Sequence, residues 1–266
     1  MVTSVKGDLV TVDAPIACAI EKQWGGGSVR KFTDSRIEKC GIESLAAMSE
    51  YQAGNETDEK HALRLVTFGA VKNAWSRKLT ATHFYHGVSL IGHESKWVTV
   101  EDCRALDPIS QITGGRRYPF AIEGQLALVR GCYSRNGRHA FVFGARVPGP
   151  NVFLECRSEQ DHATSEPHHR WSVGGLYDSC DGHINLVDRE GMGTGHGWAG
   201  ANYVAWNCTG ELACEQPPTA QNYAIGFVGK KKQGPFKRED GFWESLGQHV
   251  EPKSLYLKQL EDRLGK

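Results

Sequence analysis

The sequence has no surplus charge of either sign, since 31 lysines and arginines balance 31 aspartates and glutamates. Bulk attraction to nucleic acid or to an acidic membrane surface is thereby excluded, although a local basic groove is not. No run of 18 apolar residues occurs, so no membrane-spanning helix is expected. The opening MVTSVKGDLV lacks the apolar core of a signal peptide. Eight cysteines are present, yet no two are spaced as CxxC, which removes the usual zinc modules. There is no HExxH, and the glycines at 25–27 are not followed by the lysine and serine of a phosphate loop. Long charged helical stretches are scarce outside the termini. What the chain has instead is glycine, 31 residues of it, which suits a turn-rich β protein.

Five cysteines close similar β-rich segments: WVTVEDC at Cys103, ALVRGC at Cys132, VFLEC at Cys156, GLYDSC at Cys180 and YVAWNC at Cys208. Polar turn residues follow each of them. Repeats of 20–50 residues signify stacked units that bury their apolar faces against one another. Second strands lie between the cysteine segments: RYPFAIEG, RHAFVFG, HRWSVGG, HGWAGAN and NYAIGF. The expected fold is therefore all-β, a parallel β-helix solenoid with a short C-terminal capping helix. GDLVTVDAPI and other early segments are read as further coils, and EYQAGNETDEKHA as a loop. Residues 1–229 form the β-helix domain in this reading, and residues 230–266 a tail packed on it. In the tail, SLYLKQLEDRL has helical spacing with Ser254 as N-cap, placed to cap the open end of the stack. Lys230 to Lys232 read as a solvated turn. The five cysteines form an interior ladder of reduced thiols, and Cys208 with Cys214 is the one plausible disulfide.

Aligning the second strands on their aromatics (Phe120, Phe141, Trp171, Trp198, Tyr223) places Tyr118, His139, His169, His196 and Gln221 in a column two residues earlier. Arg117, Arg138, His168 and Arg170 flank it. Strand alternation would turn this column inward with the aromatics. The glycines and prolines around it favour a turn that faces solvent. Positive groups stacked on positive groups destabilise a sheet, and an anionic ligand would relieve them.

A basic groove on a β-helix suits an extended acidic polysaccharide. β-Elimination of a uronate polymer needs a neutralised carboxylate, a base for the adjacent proton and an acid for the leaving oxygen. His139, His169 and His196 are the base and acid candidates, with Tyr118 as a further acid. Arg138 and Arg170 neutralise the carboxylate. Arg117, His168, Trp171, Trp198 and Asn202 are assigned to substrate binding.

TGGRRYPF, PHHRW and GTGHGWAGANYVAWNC, together with the coil pattern from about Asp8 to Gly229, resemble bacterial secreted proteins of the pectate-lyase-like, right-handed parallel β-helix group. The resemblance implies that right-handed fold and a polysaccharide lyase activity. It also implies a secreted or periplasmic protein whose export signal has been removed, with an acidic polysaccharide as partner rather than nucleic acid or membrane. No residues match the calcium-site aspartates and catalytic arginine of pectate lyases proper; no metal ligand is assigned, and calcium stays open as a cofactor.

Three alternatives compete. A glycoside hydrolase would need two carboxylates flanking the bond, from among Asp161, Glu166, Asp178, Asp181 and Asp188. A metal site would draw on His162, Glu166, His168, His169 and His196. A non-catalytic binding solenoid would stack sugars on Trp171, Trp198 and Trp206.

Overall fold

The computed structural model describes residues 1–265, and most of its strands belong to three parallel sheets that the chain visits in rotation. Between Gly87 and His169 the order is unbroken. Each strand of a five-stranded sheet, such as Phe120–Ile122, leads to one of a ten-stranded sheet (Leu128–Arg130). An eight-stranded sheet comes next (Tyr133–Arg135), before the chain returns to the first (Phe141–Ala145). Every circuit lays each strand parallel to its predecessor, as in Phe120 opposite Phe141 and Val129 opposite Phe153.

The cysteine repeat is the clearest cause of this register. Glu101, Arg130, Leu154, Asp178 and Trp206 stand opposite one another in turn on the ten-stranded sheet, and a cysteine follows each by two residues. The residue in between (Asp102, Gly131, Glu155, Ser179 or Asn207) has φ between 48° and 59°. That left-handed residue turns the chain from one sheet to the next. Each thiol is then directed at a carbonyl of the preceding circuit: Cys156 Sγ to Val129 O at 3.4 Å, Cys180 Sγ to Phe153 O at 3.3 Å and Cys208 Sγ to Tyr177 O at 3.3 Å. All eight cysteines are free, Cys208 and Cys214 included, so the anticipated disulfide between them is not formed. Six are buried and only Cys18 and Cys40 are partly accessible. A thiol reagent such as dithionitrobenzoate is therefore expected to titrate these two in the native protein, and all eight after denaturation in guanidinium. Rapid reaction of further thiols would show that the ladder opens.

Stacked aromatics fill the rest of the core. Phe120 lies on Phe141, and Phe153 on Tyr177, at centroid separations of 5.4 and 5.5 Å.

Both ends differ from the sequence expectation. The opening segment is not a coil, because Val2–Lys6 and Leu9–Val12 pair antiparallel as an exposed hairpin. The helix Leu255–Leu264 does form, with Ser254 Oγ accepting from Leu257 N at 3.1 Å. It does not lie across the end of the stack. The chain doubles back past Asn207 to Asp178, three strands in from the edge of its sheet, where Asp178 accepts from Ser254 Oγ and Tyr256 N at 2.7 Å each. The helix thus packs beside the ten-stranded sheet. Lys230 and Lys231 belong to a strand, Val228–Lys231, rather than a turn.

Candidate functional site

The five-stranded sheet is the floor of a cleft of about 690 Å³. Its strands are Arg64–Phe68, Gly87–Ile91, Phe120–Ile122, Phe141–Ala145 and Glu166–His169. Leu90, Ala121 and Val142 occupy one register row and face the cleft, while Phe120 and Phe141 point to the core. Glu166 continues that row on the last strand. One wall is the segment Thr113–Gly115; the other is Met192–Thr194.

At the end nearest Glu166 the polar groups converge. The Tyr118 hydroxyl lies 3.0 Å from His168 Nε2 and accepts from Arg138 Nη1 at 3.3 Å. His168 Nδ1 lies 2.8 Å from Glu166 Oε1. Arg189 Nη1 donates to the same Glu166 oxygen, stands 2.8 Å from His168 Nδ1 and donates to His168 O at 3.1 Å. With Nδ1 protonated toward Glu166, Nε2 of His168 is left to accept the Tyr118 proton. Glu166 is buried, which opposes its ionisation, but His139, His168 and Arg189 outweigh this and hold its pKa near 2. Burial raises the pKa of Tyr118 against the pull of Arg138, so Tyr118 keeps its proton at neutral pH.

His169 and His196 lie edge to face, 4.9 Å apart, on the cleft side of this network. Burial, with His168 and Arg170 beside it, lowers His169 to about 4. His196 is lowered to about 4 by burial and by Arg189. Both are neutral imidazoles at pH 7, and each has a buried Nδ1 without a hydrogen-bond partner.

The anticipated column is only partly realised. Tyr118 and His139 adjoin as expected, at a centroid distance of 5.1 Å. The next ring is His168, 4.7 Å from His139, because Val142 pairs with Glu166 and the strand is displaced from the aromatic alignment. Trp171 and Trp198 belong to segments outside this sheet, and Tyr223, which follows Gln221, pairs with Val204 in the ten-stranded sheet. His139 is sealed beneath the cleft, with Nδ1 2.6 Å from Thr164 O and burial lowering its pKa to about 4. It buttresses Tyr118 and His168 without facing the cleft.

Of the arginines, Arg138 lines the cleft. Arg170 is exposed and tethers the Met192–Thr194 wall through Thr194 O and Oγ1, at 3.0 and 2.8 Å. Arg117 is buried on Ser110 O, at 2.7 and 3.1 Å. Asn202 binds Ala17 O at 2.9 Å and the Gln221 amide at 3.2 Å, a staple on the N-terminal segment. Trp198 is not among the cleft residues, and Trp171 lines a separate hollow of about 290 Å³ with Glu21 and Trp24.

The hydrolase carboxylates scatter. Asp178 anchors the terminal helix, Asp188 pairs with Arg238 at 2.9 Å, Asp181 lies 3.5 Å from Arg157, and Asp161 is bonded by Ser158. Only Glu166 belongs to the site, and it sits beneath His168 rather than facing its partner across the cleft.

His139, Glu166 and His168 offer three ligand atoms within 4.8 Å of one another. Arg189 already places a guanidinium nitrogen against Glu166 and His168, where a metal ion would stand. Two imidazoles and one carboxylate do not suit calcium, which requires six to eight oxygens. By type the set matches the two-histidine, one-carboxylate donors of catalytic zinc sites, so it is the Arg189 guanidinium rather than the donors that argues against an ion at this position.

Arg189 and the pairing role of Glu166 are the parts of the site that sequence reasoning missed. Arg189 lies in VDREGMGTGHG, ahead of the histidine segment rather than inside the repeat, and Arg189 N donates to Gly197 O at 2.9 Å to close that loop. No protein-family model, curated protein or solved structure matches this chain.

Proposed function

We propose that the chain is a right-handed parallel β-helix enzyme, exported by a bacterium, that cleaves an acidic polysaccharide by β-elimination. The observation that carries this reading is the convergence in one cleft of a protonated tyrosine, two neutral histidines and an arginine free of any carboxylate partner. These are the parts that elimination needs. Arg138 pairs with the uronate carboxylate and stabilises the enolate-like charge that develops on it. His169 takes the proton from C5, which its low pKa permits because the imidazole is neutral. The C5–H electrons form the C4–C5 double bond as the C4–O4 bond breaks, and Tyr118 delivers its proton to the departing oxygen. His168, oriented by Glu166 and Arg189 with Nε2 as acceptor, holds the Tyr118 hydroxyl in place. Solvent restores the phenolate proton after the product leaves, while His169 releases the C5 proton to solvent. Three parallel sheets visited in rotation support the β-helix description.

The test is incubation with a panel of uronic-acid polymers, followed by ultraviolet absorbance of the C4–C5 double bond. New reducing ends without that absorbance would indicate hydrolysis, and binding without cleavage a recognition module. Full activity in His169→Ala would remove that residue from the mechanism. The pH profile offers a separate check. A base with a pKa of about 4 stays neutral well below the ordinary histidine value. The acidic limb of kcat/KM is therefore expected near pH 4, and a limb near 6.5 would reject His169 as the base.

A further inference from the structure

We infer that Arg64 is a second anion-binding station of the cleft, so that the substrate carries acidic groups on at least two sugars. The inference rests on the proposed polysaccharide reading and specifies its substrate. Arg64 opens the first strand of the five-stranded sheet and lines the cleft at the end away from His168. Its guanidinium makes no hydrogen bond among the described residues, and its Nε is buried without a partner. Arg116, Arg135, Arg189 and Arg238, by contrast, each hold a carboxylate within 4 Å. Glu123, the acidic side chain lining the cleft, is close enough to favour the charge of Arg64 but is 3.4 Å from His93 and forms no ion pair with Arg64. Burial outweighs it and lowers the Arg64 pKa, so a part-buried cation without a direct partner is costly to keep. Arg138, the other arginine of the cleft without a carboxylate partner, is placed for the reacting uronate.

The sheet register sets the spacing. Arg64 stands opposite Gly87 on the next strand, and the strand beyond that begins at Phe120, just after Tyr118. Two strand intervals amount to about 10 Å, and four intervals to the His168 strand to about 19 Å. A single uronate cannot reach from Arg138 and Tyr118 to Arg64, whereas a chain lying along the stacking direction over Leu90, Ala121 and Val142 meets both. His86, beside Tyr118, is lowered to about 3 by burial and by Arg64, so it is neutral and repels no cation there.

The experiment is calorimetric titration of a Tyr118→Phe chain, with and without Arg64→Gln, using tetragalacturonate and the galacturonate monomer. Arg64→Gln should weaken the tetramer about tenfold, the equivalent of about 1.4 kcal/mol, and leave the monomer unchanged. Arg64→Lys should restore part of the loss, and the thermal midpoint of Arg64→Gln should match the parent. Equal tetramer affinity with and without Arg64 overturns the inference, as does failure of the tetramer to bind either chain. The lyase reading is decided separately: it falls if no polymer of the panel yields the unsaturated product, even where the Arg64 effect on binding is present.

Discussion

Replacing Tyr118 with phenylalanine is expected to lower kcat by about 10²–10⁴-fold while KM changes little, the range typical of a lost general acid. The substitution removes one oxygen. Arg138 Nη1 loses a partner at 3.3 Å, and His168 Nε2 one at 3.0 Å. Both remain anchored elsewhere, Arg138 on Gly114 O and His168 on Glu166, so carboxylate binding by Arg138 persists. The stability cost of the missing hydrogen bonds is about 1 kcal/mol, too small to account for such a rate loss through unfolding. A structural role alone would shift the melting temperature and spare kcat. If kcat is retained, the proton must come from His196 instead, and Tyr118 becomes a positioning residue for Arg138. Removal of His168 should reproduce part of the defect, because the two groups share one hydrogen bond and their effects do not add.

The strand order was legible because it is written in one repeated residue type. A cysteine two residues past each strand of the ten-stranded sheet, with a turn-forming residue between, marks every circuit from Cys103 to Cys208. The aromatics of the other strands carry no such constraint. Phe120 and Phe141 do stack, but Trp171 and Trp198 resemble them only in size and follow insertions that move them off the sheet. The aromatic register therefore failed after one step, and His169 proved to lie opposite Ala145. The histidines still gather, because His168 replaces His169 beneath Tyr118 and the VDREGMGTGHG loop brings His196 back over both. Arg189 was invisible for a physical reason. Its partner Glu166 is 23 residues away, and a lone glutamate among turn residues looks solvated until burial is known.

Replacing Arg189 with methionine is expected to cost about 3–5 kcal/mol at neutral pH, the usual penalty for stranding one member of a buried ion pair. Methionine keeps much of the aliphatic volume, so the loss is mainly electrostatic. Arg189 and Glu166 are only 6% and 3% exposed, and no other arginine or lysine among the described residues forms an ion pair with Glu166. The pH dependence separates this cause from lost packing. In the parent, Glu166 has a pKa near 2, below its unfolded value, so its contribution is present above pH 4.5 and is lost as pH falls toward 2. His139, lowered to about 4, acts in the same direction, since the unfolded chain takes up its proton first as pH drops below 6.5. Without Arg189 the burial that raises Glu166 is opposed only by His139 and His168, so its pKa rises from about 2 and its carboxylate contributes less stability above pH 4.5. The gap between parent and Arg189→Met should accordingly narrow as pH falls from about 4.5 toward 2 in urea unfolding, while a packing defect would keep it constant. Adding Glu166→Leu removes the charge that Arg189 served, and the double variant should recover much of the loss. Such recovery without return of lyase activity would separate the two duties of the pair: stability needs only that the buried charges cancel, whereas the Tyr118 hydroxyl needs Glu166 itself to hold its acceptor His168 in one tautomer.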